Sequence, residues 1–283
     1  MSRSRLLPFV LCALLALTAC GQETPPAPEE PTPAATQEVK DLSAAFQGIH
    51  GCAVLYDPVA DHYTLYREDL CRTRVSPCST FKIVSTLMGL RTGVLASPES
   101  TMVYSGTQYP VDAWNGNLTL REAFQSSCVW YFRQVIDRVG KVEVAGHLEA
   151  LDYGNQDISQ WEGNGQNPFP ELNGFWLDSS LKISPLEQVQ VLSALFQGRT
   201  AYTPDELAVL QSLMLVQEDE GGQLYGKTGT GFGGTGWFVG FRQEGEARTY
   251  FAVYLADETR EVSGSDAKEV ALNLLAGESA AGE

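Results

Sequence analysis

Ser79-Thr80-Phe81-Lys82 opens the stretch of sequence that decides the fold. From this tetrad to Gly93 the apolar residues repeat at helical spacing, which predicts a largely buried helix. Because Ser79 and Lys82 are three residues apart, their side chains lie on one face of that helix. The first turn of the helix also presents free N–H groups that could hold an oxyanion.

The tetrad could carry nucleophilic chemistry. A serine becomes a nucleophile when a base stands beside it, and an amine is a base only when it is neutral. Lys82 is flanked by Phe81, Ile83 and Val84, and an apolar setting favours the neutral amine. Ser-x-x-Lys also occurs by chance in many helices, with a capping serine and a solvated lysine, so the motif needs support from elsewhere in the chain.

A second serine stands about midway along the chain, in Ser127-Cys128-Val129. Ser127 could pass a proton to a departing nitrogen. The alternative is a buried helix serine that is bonded back to the main chain.

A third stretch, Lys227-Thr228-Gly229-Thr230, falls on a predicted strand. There the lysine would present a fixed cation, the threonine a hydroxyl, and the glycine close access to the backbone. The alternative is an edge strand that carries a protective lysine.

The order of predicted elements indicates the fold class. Strand patterns stand at both ends of the folded region and helical patterns in the middle. We expect strands at 51–56, 63–67, 223–231, 236–242 and 249–256, and helices at 118–151, 185–196, 204–216 and 268–276. This order predicts an α+β fold, an antiparallel sheet with terminal helices plus an inserted helical lobe.

Composition excludes several partners. The 283 residues include 19 Lys and Arg against 35 Asp and Glu, a formal net charge of −16. Such a chain does not seek nucleic-acid phosphates by charge. The three histidines do not pair with other ligands at metal spacing, so we expect no metal site.

The N-terminal segment predicts export. Residues 1–19 combine Arg3 and Arg5 with an apolar run, and the following Cys20 resembles the lipidated cysteine of a bacterial lipoprotein. Residues 20–41 are rich in Pro, Glu, Thr and Ala, which predicts a disordered tether. We therefore expect a folded domain at 42–276, a flexible tail at 277–283, and contact with the outer face of a membrane only through the lipid.

Taken in order, the three motifs are more specific than each alone. Ser-x-x-Lys, Ser-x-Val and Lys-Thr-Gly, together with Tyr153-Gly154-Asn155, Phe175-Trp176-Leu177 and the stretch 236–240, resemble class D serine β-lactamases of the oxacillinase type. The resemblance is to the Gram-positive-like subgroup and runs from about residue 51 to 276. It implies the serine β-lactamase and DD-peptidase-like fold and small-molecule β-lactam substrates.

The resemblance also implies a mechanism. Ser79 would be acylated, and Lys82 would react with CO2 or bicarbonate to form an N-carboxylated base, with no other cofactor. Ser127 and Lys227 would complete the catalytic set. Substrate contacts would come from residues next to these motifs, namely Val129, Trp176, Thr228, Gly229 and Thr230. Class D enzymes also use an arginine near the last helix for the substrate carboxylate, and here Arg260 is a candidate, with Lys268 in the same region.

One alternative stays open. The motifs are also similar to the sensor domain of penicillin-responsive membrane transducers, and a sensor or penicillin-binding protein is acylated without efficient turnover. Sensors tend to carry Asn at the position of Val129, so we expect the enzyme.

Four cysteines remain after residue 20. In an oxidising compartment they allow three pairings. Cys52 and Cys71 flank one predicted hairpin, and Cys78 and Cys128 each adjoin a catalytic serine, so we predict these two disulfides. The alternative is four buried free thiols.

Overall fold

A seven-stranded sheet forms the middle layer of the protein. The computed structural model describes residues 35–281. The strands run in the order β1-β3-β2-β7-β6-β5-β4, and all neighbours are antiparallel except β1, which pairs parallel to β3. They are β1 Thr36–Val39, β2 Gly51–Asp57, β3 His62–Tyr66, β4 Leu215–Asp219, β5 Gly222–Gly231, β6 Thr235–Glu244 and β7 Ala247–Ala256.

Helices cover both faces of this sheet. They are α1 Ser43–Phe46, α2 Glu68–Arg72, α3 Lys82–Arg91, α4 Leu120–Gln125, α5 Val129–Val139, α6 Lys141–Ala150, α7 Pro185–Phe196, α8 Pro204–Met214 and α9 Gly264–Ala281. Successive side chains of β7 face opposite sides of the sheet and so pack into two different hydrophobic cores. Phe251 and Val253 pack with α1 and α9, whereas Ala252 and Tyr254 face the larger core of the helical lobe.

The expected α+β plan is confirmed. The five predicted strands correspond to β2, β3, β5, β6 and β7, and the predicted helix 185–196 is α7. This helix begins with a capping box, in which Ser184 Oγ accepts from the Glu187 N–H at 3.2 Å and the Glu187 carboxylate accepts from the Ser184 N–H at 2.8 Å.

Both ends of the predicted domain extend further than expected. The composition predicts a disordered tether through residue 41, but Thr36–Val39 forms β1, held by backbone bonds such as Thr36 N–H to the carbonyl of Asp61 at 2.9 Å. The last helix continues to Ala281, although a flexible tail was predicted from residue 277.

The predicted signal segment 1–19, Cys20 and most of the tether lie outside the described residues. No helix within residues 35–281 combines the length and apolar character that crossing a bilayer requires.

Candidate active site

Ser79 lies in a single 3-10 turn, Cys78–Phe81, that leads directly into α3. The turn continues into the helix because Phe81 and Lys82 keep helical backbone angles. The predicted pairing on one helix face is present, since Lys82 Nζ lies 2.9 Å from Ser79 Oγ. The serine hydroxyl therefore has one close candidate for a base.

The Lys82 amine is wholly buried, with 0 % of the residue exposed. Its Nζ lies 5.4 Å from the centre of the Phe132 ring. Burial lowers the pKa of Lys82 to about 8, against a small opposing effect of the Cys128 and Cys78 thiols. A large share of the amine is consequently neutral near pH 8, as the sequence argument required.

Ser127 stands between α4 and α5 and lines the same cavity as Ser79. Lys227 on β5 donates a hydrogen bond to Ser127 Oγ and another, at 2.9 Å, to the carbonyl of Thr228. Lys227 is also buried, and burial followed by the nearby charge of Lys82 holds its pKa well below the usual value. The second serine thus has its own proton carrier.

The cavity between these elements has a volume of about 370 Å³. Six residues of the predicted site line it. Lys82 and Lys227 contact two of them, Ser79 and Ser127, and Trp176 precedes the lining residue Leu177. The six are Ser79, Ser127, Val129, Thr228, Gly229 and Thr230. The structure therefore brings all but one of the predicted catalytic and substrate-binding residues to one place.

Gly229 lies where β5 passes close to Ser79. A Cβ added to Gly229 would lie 3.3 Å from the backbone nitrogen of Ser79, so a side chain here would require a shift of a few tenths of an ångström. Thr230, the next residue, accepts a hydrogen bond from the Gly264 N–H at 3.0 Å, which fixes the end of β5 against α9. Ser79 and Thr230 both line the cavity.

Three residues beside the cavity have backbone angles that side chains rarely adopt. The φ angles of Cys78, Ser127 and Asp178 are +49°, +55° and +45°. Each costs about 1–3 kcal/mol and persists only where the surrounding packing imposes it. Such strain at the two serine-bearing segments is typical of a functional site.

Trp176 presents an unused donor in this region. Its ring stacks on Phe81 at 5.6 Å between centroids, and its Nε1 is buried and has no hydrogen-bond partner. An unpaired buried N–H is costly, so an acceptor at this position would be stabilised.

Arg260 is the predicted residue that the structure does not bring to the cavity. Its Nε lies 3.5 Å from Asp257 Oδ2, and its side chain is half-exposed. Lys268 on α9 lies closer to the motif residues, because it lines a second cavity of about 320 Å³ together with Lys227 and Thr228.

Neither predicted disulfide is formed. All four cysteines are buried free thiols, namely Cys52, Cys71, Cys78 and Cys128. Helix α2 brings Cys71 beside Cys52, but the Cys71 thiol donates to the carbonyls of Tyr66 and Ala53 at 3.1 and 3.3 Å.

The other predicted pair fails because its thiols point apart. Cys78 Sγ lies 3.9 Å from Asp178 Oδ1, and the Cys128 thiol is oriented toward the first backbone N–H groups of α5. Burial raises the pKa of both thiols to about 12, which makes them unreactive.

Among the residues that the motifs do not predict are Phe232, which lines the cavity, and Asp178, which bonds to Phe232. Phe232 lines it while remaining 52 % exposed, and Asp178 accepts a hydrogen bond from the Phe232 N–H at 2.7 Å. Neither belongs to a motif. Their role depends on the turn between β5 and β6 meeting the loop after Trp176, which no local pattern indicates.

Comparisons with known proteins agree with this arrangement. A family model described as the penicillin binding protein transpeptidase domain matches residues 42–276. The chain is similar to the regulatory protein BlaR1 of Bacillus licheniformis, with 33 % identity over 249 residues, which are 86 % of this chain. The chain spans only 39 % of the length of BlaR1.

Two further proteins match over most of their length. The probable β-lactamase YbxI of Bacillus subtilis is 32 % identical over 232 residues, 81 % of each chain. The crystal structure of a class D β-lactamase from Bacillus subtilis superposes with a TM-score of 0.76 and 30 % identity, covering 84 % of this chain and 95 % of that one. The matched model, the sheet order and the serine–lysine geometry coincide, and the chain therefore belongs to the penicillin-binding protein transpeptidase family, among relatives that include class D β-lactamases.

Proposed function

We propose that this protein hydrolyses the amide bond of β-lactam antibiotics through an acyl-enzyme on Ser79. The observation that carries the proposal is the buried Lys82 amine, 2.9 Å from Ser79 Oγ and with its pKa lowered to about 8. Such an amine can take the serine proton at neutral pH, either directly or after modification. The similarity to YbxI and to a class D enzyme supports the same substrate class.

The general base of the proposal is N-carboxylated Lys82. A neutral amine attacks CO2, a C–N bond forms, and one proton is released, which leaves a carbamate. The site fits this group because the amine is buried away from solvent and because Trp176 Nε1 is a buried donor without a partner. The carbamate would be a weaker base than the amine, but it would remain unprotonated at neutral pH and so be ready to accept the serine proton, and the indole would hold it.

Acylation and deacylation then follow with balanced protons. The base takes the Ser79 hydroxyl proton while Oγ bonds to the lactam carbonyl carbon, and the N–H groups of Ser79 and Thr230 stabilise the oxyanion. The lactam C–N bond breaks, and Ser127, bonded to Lys227, passes a proton to the nitrogen. The proton taken from Ser79 then moves from the base to Ser127, which restores both groups. Water gives a proton to the freed base while its oxygen bonds to the acyl carbon, and the base returns that proton to Ser79 Oγ as the acyl C–O bond breaks.

The location of the enzyme is a separate part of the proposal. Residues 1–20 support export and attachment of a lipid at Cys20. Metabolic labelling with a fatty-acid analogue tests it. The label should be absent from Cys20→Ala, and a wild-type protein without label would contradict it.

A second function is supported by the similarity to BlaR1. The same geometry allows a penicillin receptor that is acylated at Ser79 and releases the product slowly. The decisive difference is the rate of deacylation.

Hydrolysis of a chromogenic cephalosporin, with and without added bicarbonate, separates the two functions. We expect many turnovers per protein and a loss of activity in CO2-free buffer that bicarbonate restores. Because Lys82 must lose one proton before it reacts and releases a second as the carbamate forms, the dissolved CO2 needed for half-maximal activity should rise about a hundredfold for each pH unit below 8. A single acylation without turnover would support the receptor, and turnover independent of CO2 at pH 6 would exclude the carbamate.

The substrate carboxylate provides a further prediction. Lys268→Gln should raise KM by about tenfold, the loss expected for one charge-assisted hydrogen bond, with a smaller effect on kcat. Arg260→Gln is the matched variant, and its effect should be smaller because Arg260 is paired with Asp257. Steady-state kinetics on one penicillin decide between them, and the reverse order of effects would assign the contact to Arg260.

A further inference from the structure

A buried arginine outside the catalytic set joins two parts of the site. Arg133 lies on α5, six residues after Ser127, and is 6 % exposed. It is the only arginine that is buried among residues 35–277. A buried guanidinium is stable only when its charge is paired and its N–H groups are bonded, so its partners identify its role.

All five N–H groups of Arg133 have acceptors. Nε and Nη2 donate to the two carboxylate oxygens of Asp137, each at 2.9 Å, and Nη2 also donates to Glu162 at 2.7 Å. Nη1 donates to the carbonyl of Trp161 at 2.8 Å and to that of Asn173 at 3.3 Å. One side chain thus binds both ends of the segment 161–173, which we call the wall loop.

The wall loop is closed where Arg133 holds it. A Cβ added to Gly163, whose φ is +78°, would lie 2.6 Å from the backbone nitrogen of Gly174. The interior of the loop is tied to its end as well, because Asn173 Nδ2 donates to the carbonyls of Asn167 and Phe169, both at 2.9 Å.

The wall loop reaches the cavity in two ways. Asn167 and Leu172 line the cavity directly. At the start of the loop, the Trp161 ring stacks on Phe175 at 5.1 Å, and Phe175 immediately precedes Trp176. A shift of the loop would therefore move the cavity wall, whereas the contact between Ser79 and Lys82 depends on α3.

We propose that Arg133 is a positioning residue that closes the wall loop and thereby sets the shape of the substrate cavity. A lysine keeps the charge but presents three donors from one point, so it cannot bond two carbonyls and two carboxylates together. The effect on substrate rests on the proposed function, because it assumes that a β-lactam occupies the cavity. The effect on the loop does not.

The test compares Arg133→Lys with Arg242→Lys by hydrogen–deuterium exchange. Arg242 is a matched control, since it also binds two carboxylates, those of Asp219 and Glu244, but lies toward the opposite end of β6 from the cavity. We expect amides of residues 161–176 to exchange at least about tenfold faster in Arg133→Lys and unchanged in the control. Unchanged exchange, or an equal increase throughout the domain, would overturn the proposal.

The kinetics of acylation by a fluorescent penicillin distinguish a role in shaping the cavity from a role in overall stability alone. The half-saturating concentration should rise about tenfold in Arg133→Lys, while the limiting acylation rate stays within about threefold. An equal loss in both parameters would contradict a role in shaping the cavity. If the wild-type protein is not acylated at all, the proposed function fails, and exchange alone decides whether Arg133 closes the loop.

Discussion

Ser79→Ala should abolish covalent labelling by penicillin and lower the hydrolysis rate by at least about a thousandfold. The variant removes the oxygen that is proposed to form the acyl bond and leaves Lys82 and the cavity in place. Its fold should be retained, because alanine is tolerated at the centre of a helical turn. Mass spectrometry of the intact protein after exposure to penicillin measures the covalent adduct.

Ser85→Ala is the matched control for this experiment. Ser85 lies on α3, six residues after Ser79, is buried, and has a hydroxyl without a hydrogen-bond partner. Its replacement should leave labelling unchanged. Labelling that survived in Ser79→Ala would move the nucleophile to another residue, with Ser127 as the first to examine.

Local signals predicted most of the folded elements. The start of helix α7 can be predicted from its local sequence, since Ser184 and Glu187 form a capping box and Pro185 occupies the first turn. The edge strands β1 and β4 carry no such pattern, because every one of their side chains is exposed. β1 pairs with β3, 26 residues further along the chain, and β4 pairs with β5 across a two-residue turn. Both pairings rest on backbone bonds, which leave no apolar alternation to detect.

The same distinction separates the site residues. Ser79, Lys82, Ser127 and Lys227 were predictable because they belong to short motifs whose order is informative. Arg133 was not, since its partners lie up to 40 residues further along the chain.

Nearness along the chain to a motif residue also does not fix a side chain's direction. Cys78 and Cys128 adjoin Ser79 and Ser127, yet their thiols point toward Asp178 and toward the start of α5.

Lys82→Met should lower hydrolysis by about 10²–10⁴-fold, the usual contribution of a general base, and should also stabilise the fold. Methionine fills a similar volume without a charge. The folded pKa of Lys82 is about 8 against an ordinary value of 10.5, so between these values the unfolded chain binds more protons than the folded one. Wild-type stability therefore rises with pH across this window.

The size of the stabilisation follows from the same difference. Below pH 8 the wild-type fold bears the whole cost of the buried ammonium, about 3 kcal/mol at 1.36 kcal/mol per pKa unit. The gain of Lys82→Met should approach that value at pH 7 and shrink between pH 8 and 10.5. Urea unfolding in CO2-free buffer measures it, and Lys182→Met, at a partly exposed lysine, should show no comparable gain.

Bicarbonate turns this stability difference into a test of the carbamate that does not depend on catalysis. A group that binds only the folded state raises the free energy of unfolding as its concentration increases. Added CO2 should therefore stabilise the wild-type protein, and Lys82→Met should not respond, because it has no amine to modify. Trp176→Phe should respond less than wild type, since the indole N–H that would hold the carbamate is gone. Equal responses of the wild-type protein and Lys82→Met would place any CO2 effect elsewhere in the molecule and leave the unmodified amine as the base.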